Sequence, residues 1–274
     1  MLCHTPEASE SFVSMAVRAG HFYDPNDCQG LAHLLEHMLF MGSRHLPKPN
    51  AINGFIEQHG GTINAWTGTE YANYHFSCSG GALAQTLPAF ADMLRQPLFE
   101  EDALTNEIKN IHAEFEFKKK DDLRRLYQIH KETCNPHHPF AKFSVGNSDT
   151  FSQHECAELK HRLKSLHQTY YCALNMRLCI ASPMPTPQLE ALIHQCFGTL
   201  PSGELAPDNW PPLYTENELG IQINIHPLQS AKRMIVTFAL PALQNDYKTK
   251  PLNYISHLIG DEGEGSLLAY LKEK

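Results

Sequence analysis

The stretch G-L-A-H-L-L-E-H-M-L-F, residues 30 to 40, constrains this chain more than any other. It is apolar enough to be a core helix, yet it carries His33, Glu36 and His37. Polar side chains inside such a helix are costly unless something satisfies them. Residues three and four apart on a helix share a face, so these three side chains point the same way. Two imidazoles beside a carboxylate are a set that one metal ion satisfies. Zinc suits it, with imidazole ligands, tetrahedral geometry and a fourth position left for water. There the metal brings the pKa of a water to about 7 and the carboxylate takes its proton. The order H-x-x-E-H is the reverse of H-E-x-x-H and is itself a zinc signature.

Around this helix the chain reads as interleaved strands and helices. Residues 11–19 alternate as a strand, and Asp24-Pro25-Asn26-Asp27 is a turn cluster ahead of Gly30. Helices are expected over 51–59, 83–95, 101–133, 152–169, 186–197, 249–260 and 264–273. Strands are expected near 62–68, 70–78, 175–181, 220–226 and 232–240. Pro201 to Pro212 reads as a linker. The predicted fold is α+β, an antiparallel sheet with helices packed on it, not a doubly wound sheet. Residues 1–212 are expected to form the catalytic domain and 213–274 the beginning of a second, incomplete one.

A catalytic zinc needs a third protein ligand. The helix over 101–133 offers Glu107, His112, Glu114 and Glu116, with a buried stripe at Leu104, Ile108, Ile111 and Phe115. Glu107 and Glu114 flank Ile111 and are the pair placed to look inward. Glu116 lies about 200° round from Glu114 and is expected in solvent. Helix geometry leaves both Glu107 and Glu114 in play.

Charge and composition exclude other classes. The formal net charge is −8, and Lys118-Lys119-Lys120 is answered at once by Asp121-Asp122, which reads as a solvated helix face. No nucleic-acid partner is expected. No apolar run reaches the ~18 residues of a membrane span, so no membrane partner is expected either. Eight cysteines form no Cys-x-x-Cys pair, which predicts free thiols in a reducing compartment. The first ten residues lack the pattern of a secretory leader. The expected compartment is the cytoplasm, with the periplasm as the alternative if a leader has been lost.

Four segments occur in order: G-L-A-H-L-L-E-H-M-L-F-M-G-S, H-G-G-T-I-N-A-W-T, N-E-I-K-N-I-H-A-E and N-P-H-H-P-F-A-K-F-S-V-G-N. With them the chain resembles the insulinase/pitrilysin family of zinc metallopeptidases, from about residue 12 to 274. The resemblance implies the metallohydrolase unit of the LuxS/mitochondrial-processing-peptidase type. It implies one Zn2+ per chain, held by His33, His37 and Glu114, the last lying 77 residues beyond His37. Glu36 would be the general base, and Glu107 would steady the site from behind the ligands. Asn64, Ala65 and Trp66 would lie on a strand that pairs with an extended peptide substrate. Phe140, Lys142, Phe143, Gly146 and Asn147 match a loop near the active site, where their expected role is structural. In Asp261-Glu262-Gly263-Glu264-Gly265-Ser266 an aspartate replaces the family's histidine, which weakens any role there in gripping a substrate terminus.

The implied activity is a zinc-dependent endopeptidase of oligopeptides. Family members are longer, built of repeated α/β units that enclose a chamber, and in the large single-chain members an arginine and a tyrosine from the C-terminal half complete the site. The chain is therefore expected to be a fragment whose partner is the missing C-terminal half or a partner subunit. The alternative is a catalytically inactive fragment, or a scaffold or peptide-binding subunit of the same fold.

Overall fold

Alternation in Glu10-Ser-Phe-Val-Ser-Met-Ala-Val17 sends Val13, Met15 and Val17 into the core and leaves Phe12 on the outer face. This strand is the centre of a five-stranded sheet in the computed structural model, which describes residues 1–229, 232–241 and 243–273. In chain order the strands are β1 (Leu2–His4), β2 (Glu10–Val17), β3 (Ile63–Thr67), β4 (Ala72–Ser79) and β5 (Met176–Ser182). Their order across the sheet is β1-β5-β2-β4-β3. All pairings are antiparallel except β1 with β5, which is parallel, with Leu2 opposite Ile180.

The helices are α1 (Leu31–Leu39), α2 (Ala51–Gln58), α3 (Leu83–Arg95), α4 (Glu101–Lys118), α5 (Asp122–Glu132), α6 (Ser148–Phe151), α7 (Cys156–Tyr170), α8 (Thr186–Phe197), α9 (Pro251–Ile259) and α10 (Leu267–Glu273). Helix α1 packs against β3, α4 and α7. Its Leu31, Leu34, Leu35, Met38 and Leu39 are buried, each worth about 1.5–3 kcal/mol relative to exposure. The fold is α+β, as the pattern predicts. The chain divides into two units, residues 1–230 and 231–274. Among the described residues no helix is long and apolar enough to cross a membrane.

Three expectations are corrected. The single helix over 101–133 is two helices, α4 and α5. Asp121 caps α5, its carboxylate accepting the Arg124 N–H at 3.0 Å. Aspartate competes for backbone N–H groups and so favours caps over helix interiors. The charge run at 118–122 is thus a joint between helices and not one solvated face. The helix over 152–169 also begins differently, as the short α6 followed by α7. Finally, no strand forms over 220–226 or 232–240 among the described residues. Alternation fixes which face a strand would bury, but a strand also needs a neighbouring backbone.

Candidate metal centre

Helix α1 starts where it does because Gly30 takes a left-handed conformation, φ 90° and ψ 4°. The buried Asp24 carboxylate accepts the N–H groups of Gly30 at 2.8 Å and Ala32 at 2.7 Å, two of the donors that a helix start leaves unmet. A side chain at Gly30 would collide with the backbone of Gly146, 2.4 Å from where its Cβ would sit. The close approach of these two glycines seats the 145–146 backbone against α1.

That contact orients the first imidazole. His33 Nδ1 lies 2.7 Å from the Val145 carbonyl, which can only accept, so Nδ1 carries the proton and Nε2 presents its lone pair. His37 is held in the same way. Its Nδ1 donates to Glu107 Oε2 at 2.9 Å, and Glu107 Oε1 accepts from Asn110 Nδ2 at 2.8 Å. Both Nε2 atoms then face Glu114 Oε2, at 3.9 Å for His33 and 3.8 Å for His37. The ligand atoms of His33, His37 and Glu114 all lie within 4.8 Å of one another.

This donor set fits zinc. Ligands about 2.0–2.1 Å from a tetrahedral ion stand about 3.3 Å apart, about half an ångström less than the two His–Glu114 distances here. Burial first, then the neighbouring His37, lowers the His33 pKa to about 4, so the ring is neutral and able to ligate at neutral pH. Carboxylate and carbonyl partners behind metal-binding histidines fix the tautomer and raise ligand basicity. Glu114 Oε1 is paired with Lys118 one turn along α4.

Glu36 shares the polar face of α1 and is half-buried. Burial pushes its carboxyl above the usual range, against the opposing effect of the Thr67 hydroxyl, which donates to Oε2. Thr67 was not singled out by the sequence. The period-2 alternation of β3 contains the signal, since it puts Thr67 on the same face as Ala65 and opposite Trp66. The Val145 carbonyl is a backbone group, which side-chain motifs do not reveal.

Residues 1–141 match the family described as Insulinase (Peptidase family M16), and residues 160–274 match the Peptidase M16 inactive domain. The chain belongs to the insulinase family, a family of zinc metallopeptidases. It is 34% identical over 278 residues to insulin-degrading enzyme of Homo sapiens, covering 100% of this chain and 27% of that protein. It is 32% identical over 277 residues to the A-factor-processing enzyme of Saccharomyces cerevisiae, covering 100% of this chain and 27% of that one. The crystal structure of pitrilysin superposes with a TM-score of 0.85 at 29% identity, over 99% of this chain and 29% of that chain. The chain thus spans about a quarter of the length of the curated insulinase relatives it matches.

Within the insulinase fold, the remaining predicted residues fall in four places. Glu107 is at the site, behind His37. Asn64, Ala65 and Trp66 lie on β3, one of the two edge strands of the sheet. Asn64 is exposed, Trp66 is 51% exposed and does not fill core, and Ala65 packs against the core. The loop from 139 to 147 is clamped to the start of α1. Lys142 Nζ donates to the carbonyls of Phe22 at 2.7 Å and Asp24 at 2.6 Å, and the Phe143 N–H donates to Gln29 Oε1 at 2.6 Å. Asn147 caps α6 by accepting the Thr150 N–H at 2.9 Å. Glu116 is half-exposed and pairs with Lys119.

Proposed function

We propose that this chain is the zinc-carrying part of an endopeptidase that cleaves oligopeptides held in extended form. The observation that carries the reading is the convergence of His33 and His37 with Glu114, 77 residues beyond His37 along the chain, on one point with both imidazole Nε2 atoms turned toward it. These three would hold one zinc ion. When bound, zinc supplies Lewis acidity that brings a water near pKa 7 and polarises a peptide carbonyl. Glu36 then serves as the base. Thr67 occupies Oε2, so Oε1 is the oxygen left to take a proton, and a carboxyl raised by burial holds that proton more firmly than an exposed one would. Glu107 keeps His37 in the ligating tautomer. The open edge of β3, with Asn64, Ala65 and Trp66, would pair with the backbone of an extended substrate.

Residues 213–274 are proposed as the beginning of a second homologous unit, completed by the rest of the protein or by a partner subunit. On this reading the 274-residue chain binds about one zinc, with peptide cleavage weak or absent until that remainder is supplied. The compartment proposed is the cytoplasm, in keeping with eight free thiols. Metal analysis of the purified chain, paired with a quenched fluorescent peptide assay, tests the function. Glu36→Gln is expected to keep zinc and to lose whatever cleavage the parent has. A chain that takes up no zinc, or a Glu36→Gln variant that cleaves as fast as a parent with measurable activity, would sink the proposal. The second reading, a non-catalytic scaffold, draws on the match of residues 160–274 to a domain described as inactive. It requires Glu36→Gln to change nothing.

A further inference from the structure

Behind the candidate metal centre lies a buried ammonium that the proposed chemistry does not use. Lys131, in the last turn of α5, is 0% exposed. Its Nζ donates to Ser144 Oγ at 3.0 Å and lies 3.4 Å from His21 Nε2. The rings of Tyr127 and Phe140 stand 5.7 and 5.8 Å from it. Among the described residues no carboxylate lies within ion-pair distance of Nζ, and the field of Asp24 is the main negative charge it feels. A buried charge with mostly neutral partners is expensive, so its contacts call for an explanation.

Both contacts lead to the site. Ser144 precedes Val145, whose carbonyl accepts from His33 Nδ1. His21 Nδ1 donates to the Gly68 carbonyl at 3.0 Å, which leaves Nε2 as an acceptor for the ammonium. Gly68 follows Thr67, whose hydroxyl grips Glu36. His21 is kept neutral by burial and by the Lys131 charge, its pKa lowered to about 3. One ammonium therefore bridges the two backbone segments that each send one hydrogen bond to the polar face of α1.

We propose that Lys131 is a positioning residue for the metal centre: by tying Ser144 to the His21–Gly68 pair, it holds the Val145 carbonyl where it keeps His33 Nε2 turned toward His37 and Glu114. The inference rests on the zinc-site reading above and deepens it. Lys131→Met keeps the buried stem and removes the donors. Cobalt(II) and zinc affinities of the whole chain, measured by chelator competition, are expected to fall about tenfold, as for other groups behind metal ligands. The visible d–d bands of bound cobalt(II) are expected to change in position or intensity. The thermal midpoint of the metal-free variant is expected to match its parent's, which separates positioning from general support of the fold.

Ser144→Ala serves as the second variant, cutting only the link to Val145. It is expected to lower metal affinity in the same direction, and it decides the matter if Lys131→Met does not fold. A folded Lys131→Met with parental affinity and cobalt spectrum would overturn the inference while leaving the zinc site standing. So would an unfolded Lys131→Met together with an unaffected Ser144→Ala. A parent chain that binds neither metal would overturn the zinc-site reading and this inference together.

Discussion

Strand β2 and the segment 220–226 carry the same kind of pattern with opposite outcomes. In β2 every second residue, Val13, Met15 and Val17, is buried between two strand neighbours. In Gly-Ile-Gln-Ile-Asn-Ile-His the alternation of Ile221, Ile223 and Ile225 is as regular, yet no strand forms there, and Ile221 and Ile223 remain 51% and 44% exposed. The difference lies in the partners. Strands β4 and β5 flank β2 on both sides and close its hydrogen bonds, while α1 and its neighbours roof the buried face. A periodic sequence specifies a face, and only a second backbone turns that face into a strand.

The largest expected effect exposes this contrast directly. Met15→Ala empties a position that is 2% exposed between two strands, and it should destabilise the chain by about 2–5 kcal/mol, read as a shift of the urea midpoint. A loss below about 1 kcal/mol would mean that the β2 face is no better packed than the unpaired segment.

A smaller effect concerns the buried polar groups around α1, which have partners from distant segments, whereas 220–226 pairs with no strand. In the metal-free chain between about pH 4 and 6.5, the unfolded state carries a proton on His21 and on His33, and Asp24 is ionised. The folded state holds both imidazoles neutral, His21 lowered to about 3 and His33 to about 4, and keeps one proton on Asp24, raised to about 7 by burial. From these three groups alone the unfolded state is one proton richer, a rise in stability with pH of about 1.4 kcal/mol per unit, to which the lowered His138 and His167 add and which the raised Glu36 opposes. Asp24→Asn removes the proton that the folded state keeps, and the slope should steepen by about 1.4 kcal/mol per unit relative to the parent. Urea titrations across the window measure both slopes. An unchanged slope in Asp24→Asn would show that the native carboxyl is ionised throughout.

Much of this organisation is legible in the sequence, and the exceptions share a cause. Helices α3 and α8 lie where period and proline place them, over Leu83–Arg95 and Thr186–Phe197. The common face of His33, Glu36 and His37 follows from spacing alone. Helix geometry stops at two carboxylates, Glu107 and Glu114, because both flank Ile111. What distinguishes them in the structure is tertiary: Glu107 meets an Nδ1 and Glu114 meets two Nε2 atoms. Thr67, Val145 and Lys131 are invisible for the same reason, since each acts through a partner distant in sequence. The break at Asp121 is different. Its cap was readable from an aspartate after three lysines, but the apolar stripe of α4 ran convincingly up to it.

The smallest effect is the sharpest test of the comparison. Ile223→Ser removes a large apolar side chain from a sequence that alternates as well as β2 does. If alternation by itself made a strand, this change would cost as much as an equivalent one in β2. If a strand requires a neighbour, the side chain is already about half in water in the folded state and little is lost. The expected change in stability is within about 0.5 kcal/mol, measured by the same urea titration as Met15→Ala. A loss above about 1.5 kcal/mol would place Ile223 in a packed face and return 220–226 to the set of true strands. The near-zero outcome would instead make Ile221 and Ile223 a face awaiting a backbone, which is how the proposed second unit would use them once its remaining strands are supplied.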